Sequence, residues 1–434
     1  MQKYIDLFVR PRDSRNLDLF AHLTHVKQHG AHYGHSSPLA LNESPATLAL
    51  ESLLNQVDES FLLRKRNGET RARFSFIDLF AGIGGFRLAG ENSGGICRFS
   101  SEKDKYARLS YHHNFGVMPF GDINYFTTSP EGLGLIPDHD ILCGGFPCQA
   151  FSISGRQKGF SDERGVLFHR IEDILRHKIA EKKPVKVVFL ENVRNFQKHD
   201  DGKTFAKVES ILESLDYFLA SAVIDSGKVG SPTKRQRIYL VAIHKSVPNA
   251  SRETVLIFQD KIRSLERKQN KPDDRNTLSS RFIIPLKPSE IELLKIDEEY
   301  LNKDTPLISI RQKDLNLVAT TDTVQIGSIQ EGRQGERVYS RKCQAITFSA
   351  YGGGRAARTG AYYIDGVVRR LHPAECAKIM GFTRSGYTMD VYRLRDKGVS
   401  DWQLYKQFGN SVVVPVIERI FGLILKEWEI KKYP

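Results

Sequence analysis

Residues 76–85 read FIDLFAGIGG. Ser75–Phe80 is a short β-like run, and the glycines at 82, 84 and 85 end it in a turn. Glycine lets a backbone turn sharply and approach a ligand closely, and a helix start beside such a turn offers unpaired N–H groups. The spacing is not that of the six-residue dinucleotide fingerprint. Taken alone, the stretch suits either a nucleotide-like cofactor or a structural turn.

Two acidic residues follow in order. Glu102, in FSSEKDKYA, is expected at the end of a second strand, where a carboxylate can accept from both ribose hydroxyls. Asp122, in FGDIN, is expected near a third strand, where it would meet an adenine amino group. Either one alone reads as a surface carboxylate. The ordered set of glycine turn, acid and acid points to a cofactor site.

Farther out, strands and helices alternate. Ile141–Cys143 and Val185–Leu190 read as strands, and Arg237–Ile243 as another. Leu167, Ile171, Ile174 and Leu175 share one helix face, as do Phe205, Val208, Leu212 and Leu215. Such alternation argues for a mostly parallel sheet covered on both faces. The segments RRLHPAECAKIMGF and QFGNSVVVPVIERIFGLILKEW read as a loop followed by a helix.

Two regions break this rhythm. Residues 1–72 hold two helix-like pieces, near Leu17–His29 and Pro45–Leu63, joined by HGAHYGHSSP. Residues 245–340 carry a basic stretch and then an acidic one. The expected organisation is a helical extension over 1–72, a catalytic domain over 73–244, an inserted domain over 245–340, and a return to the catalytic domain over 341–434.

The chain has 434 residues and a formal net charge of +13. The excess is uneven. The extension is nearly neutral, with nine basic and eight acidic residues, and Lys245–Arg337 holds sixteen and fifteen. The remaining α/β part therefore carries +11, a charge that suits a polyanion. Apolar residues make up 40% and charged residues 26%, which excludes wholesale disorder and a collagen-like repeat. No uninterrupted apolar run reaches the ~18 residues of a membrane-spanning helix. The opening MQKYIDLFVRPRDSR lacks the layout of a secretory signal. Five cysteines without metal-ligand spacing point to a reducing compartment and to no metal site.

Three further motifs carry chemistry. In GGFPCQAFSISGRQKG, residues 144–159, Cys148 sits on a Gly- and Ser-rich loop with Arg156 and Lys158 nearby, and positive charge favours a thiolate. In LENV, residues 190–193, Glu191 is a carboxylate at the end of an apolar strand, an unusual placement that suggests function. In TKRQRIYLVA, residues 233–242, Arg235 and Arg237 alternate just before a strand and so can project to one face.

Together these residues resemble the DNA (cytosine-5)-methyltransferase family of bacterial restriction–modification type. FAGIGG, Pro147-Cys148-Gln149, Glu191-Asn192-Val193, Arg235-x-Arg237, RRLHPAE and GNSV all match, in the family's unpermuted order. The match covers about residues 74–243 and 345–425. Departures are slight. Thr233 stands where the family often has Gln, and His372 where it often has Thr.

The resemblance implies an S-adenosylmethionine-dependent methyltransferase fold: a Rossmann-like mixed α/β sheet with a smaller inserted target-recognition domain and an N-terminal helical extension. It implies that S-adenosyl-L-methionine binds and leaves as S-adenosyl-L-homocysteine, with no metal. Phe80, Gly82 and Gly84 would line the methionine end, Glu102 the ribose, and Asp122 with Ile123 the adenine. Pro147 and Leu167 would pack nearby, and Asn410 with Ser411 would close the pocket. Cys148 would be the nucleophile and Glu191 the acid at N3. Arg235 would hold the base's O2, and Arg237 would support the loop.

The implied substrate is double-stranded DNA with its target cytosine rotated out. Gln149, Ser152, Ser154 and Arg156 lie on the family's mobile catalytic loop and would touch DNA. Gln325, Arg333, Gln334 and Arg337, in TVQIGSIQEGRQGERVYS, suit bidentate contacts to base edges. The expected setting is the bacterial cytoplasm, close to the nucleoid. There the chain would act as a monomer, away from membranes, beside a cognate restriction endonuclease. Two alternatives stand. One is an RNA (transfer RNA) cytosine-5 methyltransferase, which the large insert disfavours. The other is a DNA-binding autoregulator that uses residues 1–72.

Overall fold

The computed structural model describes residues 72–146, 167–266, 277–278, 281–383 and 389–428. The helical pieces expected within 1–71 and the loop residues 147–166 lie outside them.

A six-stranded sheet forms the centre. Its strands are β1 (Phe74–Leu79), β2 (Gly95–Ser101), β3 (Ile141–Gly144), β4 (Val187–Val193), β5 (Tyr217–Asp225) and β6 (Gln236–His244), in the order β2-β1-β3-β4-β6-β5. Strands β1 to β4 run parallel, while β6 is antiparallel to both β4 and β5, so the sheet is mixed as expected. β5, absent from the sequence reading, is a half-buried strand in which Phe218, Leu219, Ser221 and Val223 are partly exposed.

The period-2 alternation of β1 explains its position. Phe74 and Phe76 enter one core layer, while Ile77 and Leu79 enter the other. Helices α1 (Gly85–Asn92), α2 (Lys105–Phe115), α5 (Arg252–Arg263) and α9 (Val414–Glu427) cover the first face. Helices α3 (Leu167–Ala180) and α4 (Lys203–Ser214) cover the second. Phe421 of α9 packs 5.6 Å from Phe74 and 6.3 Å from Phe76, ring centre to ring centre.

A second sheet follows, of β7 (Gln325–Ser328), β8 (Arg337–Ser340), β9 (Ala361–Ile364) and β10 (Val367–Arg370), in the order β10-β9-β8-β7. Ile310 of α6 (Leu307–Asn316) seats against Gly327, where a side chain would collide with it at 2.6 Å. Val338, Ala361 and Val368 share that small core, whereas Tyr339, Tyr362 and Ile364 face the main one.

These layers do not coincide with the expected divisions at 244 and 340. Val255, Phe258 and Ile262 of α5 belong to the main core, so the catalytic body extends past residue 244. β9 and β10 complete the small sheet beyond residue 340, although the stretch before them already meets the body, where Ala345 bridges Thr233 and Phe348 joins the main core; α7 (Pro373–Met380) follows. The QFGN segment is not a loop either. It ends helix α8 (Asp401–Asn410), and Ser411–Val413 separates α8 from α9, whose first turn holds Pro415. Residues 401–427 together are long and apolar enough to cross a membrane by composition, but their most apolar 18-residue stretch is 61% buried inside the protein.

Candidate active site

The parallel strands deliver their C-terminal ends to one cavity of about 570 Å³. Open α/β sheets bind ligands at this edge, and the volume lies in the range that encloses a cofactor-sized molecule. Among the expected cofactor residues, Phe80, Gly82, Glu102, Asp122, Ile123, Leu167 and Asn410 line it. Glu191, Arg235 and Arg237 line the same cavity. Pro147, Cys148, Gln149, Ser152, Ser154 and Arg156 lie outside the described residues.

The turn after β1 is built for close approach. Phe80 adopts φ +54°, rare for a non-glycine, and Gly82 and Gly84 adopt +55° and +86°. The Gly82 N–H donates to Glu102 Oε2 at 2.8 Å, and the Asp104 N–H donates to Oε1 at 2.7 Å. Backbone amides thus hold both carboxylate oxygens of a side chain that lines the cavity. Burial raises the Glu102 pKa above the ordinary range, against the opposing pull of these amides.

Two expected cofactor residues do not reach the cavity wall. Gly84 caps α1, and a methyl group there would stand 2.2 Å from the Phe115 ring. Its glycine serves helix–helix packing rather than ligand contact. The Ser411 hydroxyl turns to Val412 O, and its carbonyl accepts from Arg235. The two turn glycines should therefore differ in effect. Gly84→Ala is expected to destabilise the fold by roughly 3 kcal/mol, combining left-handed strain with overpacking. Gly82→Ala, with open space around it, should cost about 1 kcal/mol but weaken cofactor binding. Urea unfolding of both variants, with calorimetric titration of S-adenosylhomocysteine into Gly82→Ala, checks the contrast.

Asp122 is not beside the third strand. Phe120 forms a bridge with Ser101, which brings Asp122 alongside the end of β2. Its Oδ1 accepts from Asn124 N–H at 3.1 Å, and Lys103 Nζ pairs with Oδ2 at 3.2 Å.

Glu191 lies at the C-terminal end of β4 and is 7% exposed. In the antiparallel ladder Glu191 faces Tyr239 and Val193 faces Arg237. Alternate residues share a face, so the Arg-x-Arg spacing puts both guanidinium groups on the side of Glu191. Arg237 Nε stands 3.0 Å from Glu191 Oε1, a charge contact rather than an aligned hydrogen bond. Burial raises the Glu191 pKa above the usual carboxylate range, and Arg237 and Arg235 oppose it.

The two arginines divide their work differently from the sequence expectation. Arg235 is buried, and its fork donates to the carbonyl oxygens of Phe348 (3.2 Å), Gly409 (3.0 Å) and Ser411 (2.7 Å). These bonds tie β6 to the C-terminal segment, while Arg235 also lines the cavity. Arg237, next to Glu191, is the guanidinium that faces the cavity with the acid.

Several lining residues carried no signal in the sequence reading. Lys406 Nζ pairs with Asp104 Oδ2 at 2.7 Å and joins α8 to the cap of α2. Lys103 and Asp104 adjoin Glu102 in SEKDK and could have been read as neighbours of a site. Lys406 and Gln407, some 300 residues away, could not.

Among the residues expected to read bases, Gln325 and Arg337 are exposed on β7 and β8, and Gln325 Nε2 donates to Gly327 O at 3.1 Å. Arg333 is exposed and pairs with Glu331. Gln334 opens a short 3-10 turn before β8.

Comparison with known proteins agrees with this geometry. The model of the C-5 cytosine-specific DNA methylase family matches residues 74–426. The type II methyltransferase M.HhaI of Haemophilus parahaemolyticus is 44% identical over 82% of this chain and 96% of its own length. M.HpaII of Haemophilus parainfluenzae is 37% identical over 83% of this chain and 92% of its own. Among solved structures, the Dnmt2 methyltransferase of S. pombe superposes with a TM-score of 0.58 at 18% identity, covering 82% of this chain and 99% of that one. The Entamoeba histolytica methyltransferase EhMeth gives 0.55 at 20% identity, with the same coverage. These last two show the fold alone. With a glycine turn, a buried strand-end glutamate and a paired arginine on one cavity, and a family model spanning nearly all of the described chain, the protein belongs to the C-5 cytosine-specific DNA methylases.

Proposed function

We propose that this chain methylates C5 of one cytosine within a short, partly palindromic duplex DNA site, using S-adenosyl-L-methionine, and so shields host DNA from a cognate restriction endonuclease. It would do so as a cytoplasmic monomer. The observation that carries the reading is a single cavity shared by Glu102 and Gly82 with Glu191 and Arg237. A donor site and a base site joined in this way suit group transfer between them.

The residues fit the cofactor. The Glu102 carboxylate suits ribose hydroxyls, and the open space at Gly82 suits a ligand close to the backbone. Phe80 and Leu167 would pack on it, Asp122 and Ile123 would meet its adenine, and Asn410 would close over it. When bound, S-adenosylmethionine supplies an electrophilic methyl group on a sulfonium.

C5 of cytosine is a poor nucleophile, and the chain's own residues must correct that. The Cys148 thiolate adds to C6 and pushes an electron pair toward C5 and N3. Glu191 offsets the charge arriving at N3 by giving or sharing a proton, a role its raised pKa supports. Arg237 holds O2, because its neighbour Arg235 is already committed to backbone carbonyls. A base then removes the C5 proton, and the thiolate leaves. Gln149, Ser152, Ser154 and Arg156 would contact DNA from the catalytic loop, and Gln325, Arg333, Gln334 and Arg337 would read it.

Type II relatives favour duplex DNA over transfer RNA as substrate. The direct test is tritiated methyl transfer to duplex DNA and to transfer RNA side by side, followed by bisulfite sequencing of DNA from expressing cells. Label confined to RNA would overturn the proposal; label in DNA at one recurring site would support it.

A further inference from the structure

The segment 349–360 lies between the proposed reading loop and the catalytic body. Towards the body, Ala350 N would stand 2.2 Å from a side chain at Gly409, so the two backbones touch. Arg358 lies 3.2 Å over the Trp402 ring, and its Nη1 donates to Trp402 O at 3.1 Å. The segment is thereby fastened to the start of α8, whose far end holds Gly409 and Asn410 at the cavity.

Towards the reading loop the contacts are equally close. Ala356 N–H donates to Gly335 O at 3.2 Å, and a side chain at Gly335 would meet Gly353 O at 2.6 Å. Arg355 lies 3.2 Å over the ring of Tyr300. Tyr300 in turn belongs to the stretch that fixes the loop's other edge. Its carbonyl accepts from Gln330 N–H at 2.9 Å, Asn302 Nδ2 donates to Gln330 O at 2.7 Å, and Leu301 bridges Ile329. The loop 329–336 is thus held from both sides, and one arginine–aromatic stack joins the two holders. The loop itself has strained turns, with Gln330 at φ +46° and Gly332 at +72°.

We propose that Tyr300 and Arg355 act together as positioning residues for sequence recognition, clasping the loop 329–336 so that its polar side chains meet DNA in one register. The proposal rests on the reading that this loop and Arg337 discriminate bases. The stack depends on a flat guanidinium over a ring, which lysine cannot reproduce although it keeps the charge.

The test uses the full-length enzyme on its bisulfite-defined duplex and on duplexes with one altered base pair. Tyr300→Ala and Arg355→Lys should each raise KM for the defined duplex several-fold. Each should also narrow the discrimination ratio against altered duplexes by about two- to fivefold, as expected for a lost solvent-exposed stack. The loss should fall on KM more than on kcat, with the melting temperature nearly unchanged in Arg355→Lys and somewhat lowered in Tyr300→Ala, which also loses packing on the small core. Tyr300→Phe should retain the parent's discrimination, and the double variant should be no worse than either single one, because both remove one interaction. Parent-like discrimination in Arg355→Lys, or additive losses in the double variant, would overturn the proposal. Arg333→Ala and Arg337→Ala separate the two levels. If these variants narrow the ratio while Tyr300→Ala does not, the clasp fails alone. If none of them alters it, base reading by this loop fails as well.

Discussion

Cys148→Ser is expected to abolish methyl transfer while leaving retention of duplex DNA near that of the parent. A hydroxyl at this position stays protonated at neutral pH and cannot add to C6, whereas a thiol is already partly ionised there. The other four cysteines offer no substitute. Cys97, Cys143, Cys343 and Cys376 are all buried, and burial pushes the Cys97 thiol up to about 12 and raises the other three as well. The chain is led to position 148 by a well-fixed approach. β3 ends at Gly144, a side chain at Gly145 would lie 3.6 Å from Glu191 Oε2, and Asn192 Nδ2 donates to Phe146 O at 3.4 Å. A duplex carrying 5-fluorocytosine at the target supplies the decisive reading. The parent should form a denaturation-resistant adduct that mass spectrometry maps to Cys148, and the serine variant should form none. An adduct mapped elsewhere would remove the nucleophile assignment and the mechanism with it.

Glu191→Gln should lower kcat by about 10²- to 10⁴-fold, the usual span for losing a positioned proton donor. Glutamine fills the same space and can still donate from its amide, but it has no proton to transfer. The pH behaviour gives the sharper signature. Burial holds the Glu191 pKa above its value in the unfolded chain, despite Arg237 and Arg235. The parent's kcat should therefore fall as pH rises through that raised pKa, and this limb should vanish in the variant. Stability of the parent should fall with rising pH as well. A carboxyl whose folded pKa is raised destabilises the fold progressively as pH climbs from the unfolded value to the folded one. The neutral amide is free of that penalty, so above this window the variant should unfold no more readily than the parent. Loss of both activity and stability would point to a structural role for Glu191 instead.

The sequence showed those parts of the molecule whose cause is local. FIDLFAGIGG predicts a strand and a glycine turn, because buried alternation and positive φ are properties of neighbouring residues. Helix α3 follows from the spacing of its apolar residues in the same way. Glu191 stood out because a carboxylate at the end of an apolar strand is costly to bury. What stayed hidden depends on contacts between distant segments. Nothing near Arg235 says that its partners are the carbonyls of residues 348, 409 and 411, so its buried bonding was not legible there. Gly84 matched a cofactor motif, yet it serves a ring on α2 that the motif does not contain. The small sheet crossed the expected boundary at 340 because β8 pairs with the more distant β9, which β10 then joins as a local hairpin, while local composition changes earlier.

Helix α9 completes the layer that β1 begins, with Phe421 against Phe74, Phe76 and Phe189. On the ribosome these partners emerge far apart in time. At about 5–20 residues per second, the first strand waits about 20–70 s for the helix that covers it. Until then α1, α2 and α5 cover only part of that face, and its phenylalanines lack the ring of Phe421. A chain cut before α9 is therefore expected to bury its first strand incompletely and to aggregate rather than persist as a weakly active fragment, which pelleting of a fragment ending before residue 414 would check.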